Sequence, residues 1–548
     1  MSKLHRATAK RAIGKAEIFR IINYASDRPY VRLAVDLFAF SYYMGGINFV
    51  DMAYLTQQNI VEDRLIYIRR KEHKMIKNKP EAYGISSDNL LCMVQELETF
   101  VEDIHSISVV CDNDVIFSKC IQPYTEEPMQ MLHSFSKSMN SIAVGIAIDE
   151  GKLHLDDLVI DYFKEYLPEE YDKRIDQLTV RNLLTMAANS CRLSTCFRGV
   201  TDSWITHYFT YKLPHDPGTV FQYDTGASYM LSSLVTKTMH KNVLALMKER
   251  VLKPMGITDI EWLESPEGNT VGGWGLYLKT PDIAKIAILL ANMGKWNGKT
   301  LIPEEYLKEA TRKQIDTPEE KYPVCGYGYQ YWITADHSFG VYGAFGNVIV
   351  VNPEKKLAVA ITAGASDTNG NPNRLISKIV NEKLFIPTER GTLETDVDGE
   401  KKLKKYLDDL CLPYPEGAKN SCLEGKWFDK TLSFEENDRE IQSIKINRKT
   451  ENVLLINFYL KDKQVSVEAG FENWITQEAV FDDPHHFLNS FSYAFKDDKT
   501  LVIKQYWLNM SGYDTYTLHF QDGSVNGMII TSVKLGGAVP VELSGNIQ

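Results

Sequence analysis

Ser134-Phe135-Ser136-Lys137 runs directly into Ser138-Met-Asn-Ser-Ile-Ala-Val-Gly-Ile-Ala-Ile-Asp-Glu-Gly151, and this stretch decides how the rest of the chain is read. The apolar run predicts a helix that stops at Gly151. A helix starting at Ser134 puts Lys137 one turn later on the same face, within reach of the Ser134 hydroxyl. A buried lysine loses proton affinity by desolvation and can serve as a base near neutral pH. Backbone N–H groups at a helix N-terminus favour developing negative charge. Four residues thus supply a nucleophile, a base and part of an oxyanion site. Alone, the same four residues also describe a serine N-cap with a surface lysine, so the surroundings must choose.

Two further stations lie downstream: Pro217-Gly-Thr-Val-Phe-Gln-Tyr223-Asp-Thr225-Gly-Ala-Ser-Tyr229, and Val341-Tyr342-Gly343-Ala344-Phe-Gly-Asn347 beside a strand. In this order the three resemble the serine β-lactamase, penicillin-binding and esterase superfamily, with its Ser-x-x-Lys, Tyr-x-Asn-like and Lys/His-Thr-Gly-like triplets. Glu150–Asp157, Leu178–Met186, Gly272–Tyr277 and Leu290–Lys299 resemble the text around those motifs, so the resemblance covers about 85–385. It implies that Ser134 attacks a carbonyl and that Lys137 and Tyr223 share the proton work, Tyr223 as a phenolate or a relay. It implies an oxyanion hole of the Ser134 and Ala344 N–H groups, with Gly343 letting substrate lie against the strand. Thr225, Val341 and Tyr342 are the substrate-binding candidates.

The departures bear on substrate. Thr225 stands where the family has Asn, and Asp224 beside it reads as a turn residue. Val341, or Tyr342 if the register slips by one, stands where penicillin-recognising members carry a cation. That cation meets the substrate carboxylate, so its loss points to an ester or amide lacking one. The expectation is a serine hydrolase acting on an ester, amide or β-lactam. The alternatives are a catalytically weak ligand sensor and a DNA-associated fusion protein. No Gly-x-Ser-x-Gly elbow occurs, and no metal or cofactor is implied.

The expected fold is α+β: an antiparallel sheet flanked by helices over 81–385, a linker or surface helix over 386–420, and an all-β barrel or sandwich over 421–548. Helical spacing over Asp88–Ile104 and alternation over Ile107–Phe117, with a turn at Asp112–Asp114, open the sheet domain. Strands at Gly346–Val351 and Leu357–Thr362 close it. Short alternating strands recur after Gly425, at 452–460, 464–469, 501–508, 515–520 and 524–533.

At 548 residues, 44% hydrophobic and 24% charged, the chain has the composition of a folded multidomain protein. Its net charge of −11 is uneven. Residues 1–80 hold 15 Lys and Arg against 7 Asp and Glu, a balance of +8 that leaves −19 for the rest. The acidic body makes nucleic acid and anionic membrane poor partners for the main domains. Eight scattered cysteines read as free cytosolic thiols. Met1–Arg20 lacks the apolar core of a signal peptide, and Leu33–Val50 reads as a buried helix rather than a membrane span, so the chain is expected to be soluble and cytoplasmic.

Residues 34–60 contain Gly46-Ile-Asn-Phe-Val-Asp-Met-Ala-Tyr-Leu55, followed by a strand-like run ending Ile68-Arg-Arg-Lys71. This helical head is similar to part of the catalytic domain of tyrosine recombinases, with Lys71 at the hairpin lysine. The first catalytic arginine has no counterpart, since 37–51 contains no Arg. The head is therefore expected to be a non-catalytic remnant, capable at most of weak non-specific phosphate contact.

Overall fold

The computed structural model describes residues 79–548 except 189–196, 198, 319–322, 335–336, 368–369, 482–484, 486 and 534–539, with scattered positions before 79. The chain divides into units 1–75 and 76–548. In the first, the two-residue strands Ile60–Val61 and Arg64–Leu65 pair antiparallel. The integrase-like helix, Lys71, Cys191 and Cys196 lie outside the described residues.

In the second unit, α1 (Ser87–Phe100) begins at Ser86, whose hydroxyl accepts from the Asp88 N–H. Leu90, Met93, Val94 and Leu97 recur at helical spacing, and all are fully buried. Each contributes about 1.5–3 kcal/mol by leaving water. A hairpin of β1 (Ile104–Cys111) and β2 (Asp114–Cys120) follows, turning where the Asp-Asn-Asp run predicts.

The short β3 (Met129–Met131) leads through a 3₁₀ turn, His133–Phe135, into α2 (Ser136–Asp149). Then come α3 (Thr225–Met239), β4 (Leu276–Lys279), which pairs with β3, and α4 (Thr280–Ala291). Five strands complete the sheet: β5 (Val324–Tyr327), β6 (Trp332–Thr334), β7 (Phe339–Tyr342), β8 (Val348–Asn352) and β9 (Leu357–Ala363). The order is β5-β6-β7-β8-β9-β1-β2, antiparallel throughout.

α5 (Pro372–Val380) shares the core of α1 and the sheet. The segment 386–420 holds a helix, α6 (Val397–Asp408), whose Leu403 and Leu407 enter the same core. Its charged residues cover the outside, which is why the segment reads as linker in composition alone.

The remaining strands are β10 (Thr431–Phe434), β11 (Ile441–Thr450), β12 (Val453–Leu460), β13 (Gln464–Phe471), β14 (Ile475–Glu478), β15 (Leu488–Asp497), β16 (Thr500–Trp507), β17 (Tyr513–Gln521), β18 (Ser524–Thr531) and β19 (Val541–Ile547). They run in the order β13-β12-β11-β10-β19-β18-β17-β16-β15-β14. A parallel pairing of Gly470–Phe471 with Ser492–Tyr493 joins β13 to β15 and closes the sheet into a barrel, leaving the short β14 paired with β15 alone. Trp427, Phe458, Phe491, Tyr493 and Phe520 are among its core side chains. The fold is thus α+β with a C-terminal all-β domain. No described helix is long and apolar enough to cross a membrane.

Candidate active site

α2 is buried on all sides, not on one stripe. Every residue from Ser136 to Ala147 is buried, including Lys137, Ser138, Asn140 and Ser141. Buried polar groups need partners, and these have them. Ser138 Oγ donates to Gln330 O at 2.6 Å, Asn140 Nδ2 to Ser228 O at 2.8 Å, and Ser141 Oγ to Tyr329 O at 2.7 Å. The turn ahead of α2 is held by Ser136 Oγ, which donates to His133 O at 2.7 Å and accepts from the Leu276 N–H at 3.2 Å. Ser134 therefore stands in a 3₁₀ turn two residues before α2, partly exposed, on a fixed base.

Lys137 Nζ donates to Ser134 Oγ at 3.1 Å and to the Gly273 carbonyl at 2.7 Å. Burial lowers its pKa to about 7, against a smaller opposing pull from the Asp224 carboxylate. Asp224 is itself buried and caps α3, accepting from the Ala227 N–H at 3.0 Å. It is thus a helix cap with an electrostatic reach to Lys137.

The amine also lies 4.9 Å from the centre of the Tyr223 ring. Burial raises the Tyr223 hydroxyl to about 12, and a hydrogen bond with Ser134 offsets this in part. The structure therefore brings Ser134 within hydrogen-bonding range of both Lys137 and Tyr223, although 86 residues separate Lys137 from Tyr223.

The third station is placed differently from a free substrate edge. β7 is an inner strand, but its pairing with β6 involves only Phe339 and Gly340, while Val341 and Tyr342 pair with β8 alone. Val341 is fully buried, and the Tyr342 hydroxyl shares a 2.5 Å hydrogen bond with Ser377 on α5. Their side chains are thus committed to the core, and what they can offer a substrate is backbone. Gly343 has a reason of its own: a Cβ there would overlap the Leu132 carbonyl oxygen, so the glycine seats the strand end against the turn that carries Ser134. Ala344 follows in a tight loop with Phe345 and Gly346 in the left-handed region (φ 65° and 88°).

Thr225 is buried at the first turn of α3, against Gly273. It supports the seat of Lys137 rather than lining an open surface. Sequence reasoning missed two residues. Gly273 supplies the carbonyl that holds the lysine. Trp332 stacks between Tyr223 and Tyr342, at 5.9 Å and 5.8 Å with 20° between planes, and walls this side of the site. Gly273 lies in the Gly272–Tyr277 stretch, whose resemblance to the family marks no role for it. Nothing local marks Trp332. Among the described residues no group of three or more His, Cys, Asp or Glu is arranged to hold a metal.

The sequence model of the Beta-lactamase family matches residues 99–379, which carry all of this geometry. The chain belongs to the beta-lactamase family. A curated beta-lactamase of Pseudomonas fluorescens is 27% identical over 139 residues, 25% of this chain and 37% of that protein's length. Among solved structures, a penicillin-binding protein homologue from Caulobacter crescentus is 15% identical, with a TM-score of 0.43, over 55% of this chain and 99% of that one. An octameric penicillin-binding protein homologue from Pyrococcus abyssi is also 15% identical, with a TM-score of 0.43, over 84% of this chain and 99% of that one. Within the beta-lactamase family domain, the site is built from α2, the residues before α3, the loop before β4, and the end of β7.

Proposed function

We propose that this beta-lactamase-family protein is a serine hydrolase that is acylated at Ser134 and deacylated by water, acting on an ester or amide. The observation that carries this is the Lys137 amine, 3.1 Å from Ser134 Oγ and with a pKa lowered to about 7. Half of such amines are neutral at that pH and can accept the serine proton as Oγ attacks a carbonyl carbon. The carbonyl oxygen gains charge and is met by the Ser134 and Ala344 N–H groups. Tyr223, raised to about 12, is protonated near neutrality. Its role is therefore that of a relay: it passes a proton to the leaving oxygen or nitrogen while the lysine recharges it. Water then attacks the acyl-serine, giving its proton back along the same chain.

The substrate reading follows from the strand. Val341 and Tyr342 present no cation there, and the aromatic face of Trp332 lies beside Tyr223. This favours an uncharged acyl or alcohol group over one with a carboxylate at that point, and makes β-lactam turnover the less favoured reaction. The basic head is assigned no step, and retains its reading as an integrase-like remnant.

Intact-mass spectrometry tests the assignment. The protein is incubated with a fluorophosphonate and, separately, a penicillin, beside Ser134→Ala. An added fluorophosphonate mass in the wild type but not the variant is the expected result. A stable penicillin adduct would move the reading to a penicillin-binding ligand sensor, and absence of any adduct would remove the hydrolase.

A further inference from the structure

The loop after β7 contains two backbone carbonyls, one on each side of the Ala344 N–H, and an asparagine holds each of them. Gly343 O belongs to the same peptide as that N–H. It accepts from Asn373 Nδ2, on the first turn of α5, at 2.8 Å. Ala344 O belongs to the next peptide and accepts from Asn347 Nδ2 at 2.7 Å. The Asn347 amide also reaches Ser511 Oγ, between β16 and β17 of the barrel, at 3.0 Å, and Ala363 O at 3.3 Å. Asn347 O in turn accepts from the Gly343 N–H at 2.7 Å, closing the loop on itself.

In a trans peptide the C=O and N–H point in opposite directions. A side chain that grips Gly343 O therefore aims the Ala344 N–H away from α5. We propose that Asn373 and Asn347 are positioning residues that fix the Gly343–Ala344 peptide so that its N–H meets the oxyanion. This inference rests on the hydrolase reading above.

Two observations support a role beyond packing. Among the described residues, neither Asn373 Oδ1 nor Asn347 Oδ1 has a hydrogen-bond partner, though both atoms are buried. An unsatisfied buried acceptor is unfavourable, so what each position uses is its donor. The loop also keeps Phe345 in the left-handed region, where a non-glycine residue is strained and persists only when its surroundings over-determine it. The two amides, together with the Ala365 N–H that donates to Phe345 O at 2.9 Å, supply that determination.

The test is Asn373→Asp, which keeps the size of the side chain and turns a donor into an acceptor. kcat and KM on a 4-nitrophenyl ester are measured beside the melting temperature and the fluorophosphonate adduct. Deleting an oxyanion donor outright costs about a hundred- to a thousandfold in kcat, and mis-aiming one is expected to cost about ten- to a hundredfold with KM nearly unchanged. Asn373→Gln, which keeps a donor, recovers part of the loss. Asn373→Leu, equal in shape and without a donor, replaces the aspartate variant if that fails to fold. Wild-type turnover with unaltered kcat in the donor-less variant overturns the clamp alone. So does a glutamine variant no better than the donor-less one. A wild type with neither turnover nor adduct overturns the hydrolase reading and the clamp with it.

Discussion

Lys137 has its charge set by burial, and this makes the site sensitive to pH in a definite direction. Lys137 is 2% exposed, and desolvation outweighs the attraction of Asp224, so the group loses its proton near pH 7 rather than near its ordinary 10.5. In its proposed role as the base for acylation it works only when neutral. kcat/KM on an uncharged ester should therefore rise with pH through about 7 and level off above, until Tyr223 begins to ionise near 12. A profile flat from pH 5 to 8 would detach Lys137 from the rate-limiting step. Stability moves the same way: between the folded and unfolded pKa values the unfolded chain holds the extra proton, so this group's contribution to stability rises with pH from about 7 to about 10.5. Ser134 and Lys137 were legible because one helical turn relates them. Gly273 and Trp332 were not, because the distances that give them a role span 136 and 109 residues of chain to Lys137 and Tyr223.

At the scale of the element, α2 is the part whose character the sequence conceals most. An apolar run predicts a helix, and Ser136–Asp149 is one. That Ser138, Asn140 and Ser141 are buried and tied to two separate segments, at Ser228 and at Tyr329–Gln330, depends on partners 88 to 192 residues away. Gly145 shows how tightly the helix is enclosed, since a Cβ there would overlap the Tyr306 ring. Tyr306 also shares a 2.8 Å hydrogen bond with Ser141, so the ring cannot swing away without breaking it. Gly145→Val should therefore destabilise the protein by about 1–3 kcal/mol or more through overpacking, despite valine's ordinary fitness for an apolar site. A thermal midpoint equal to the wild type would show that the space around α2 admits the extra methyl groups and would overturn the overpacking argument. The hairpin turns were legible too: β1–β2 and β8–β9 turn at Asp112–Asp114 and after Asn352, where short polar residues announce the bend.

Across the whole molecule, the sequence suggests a linker or a surface helix over 386–420, and the structure places a helix there within a core that the flanking domains share. α6 lies in that segment and packs Leu403 and Leu407 beside α1. The barrel adds Tyr506 and Leu508 to the same cluster, and Tyr506 meets Tyr124 edge-on at 5.9 Å. Its β16–β17 turn then runs between the two halves of the candidate site. The Met131 N–H donates to Asn509 O at 2.9 Å and Asn509 Nδ2 donates to Met129 O at 3.0 Å, just ahead of the turn that carries Ser134, while Ser511 reaches Asn347 in the loop after β7. Individual strands of the barrel could be read from alternation, but this docking could not. It depends on a turn whose residues, Asn509, Ser511 and Gly512, look like any polar loop until their partners are known. Units that share apolar side chains lose them together, so a chain from residue 76 onward should melt in one calorimetric transition, with calorimetric and van't Hoff enthalpies agreeing, rather than in two. Two resolved transitions would mean that the barrel folds apart from the beta-lactamase-family domain, and that its turn contacts the site without being part of its stability.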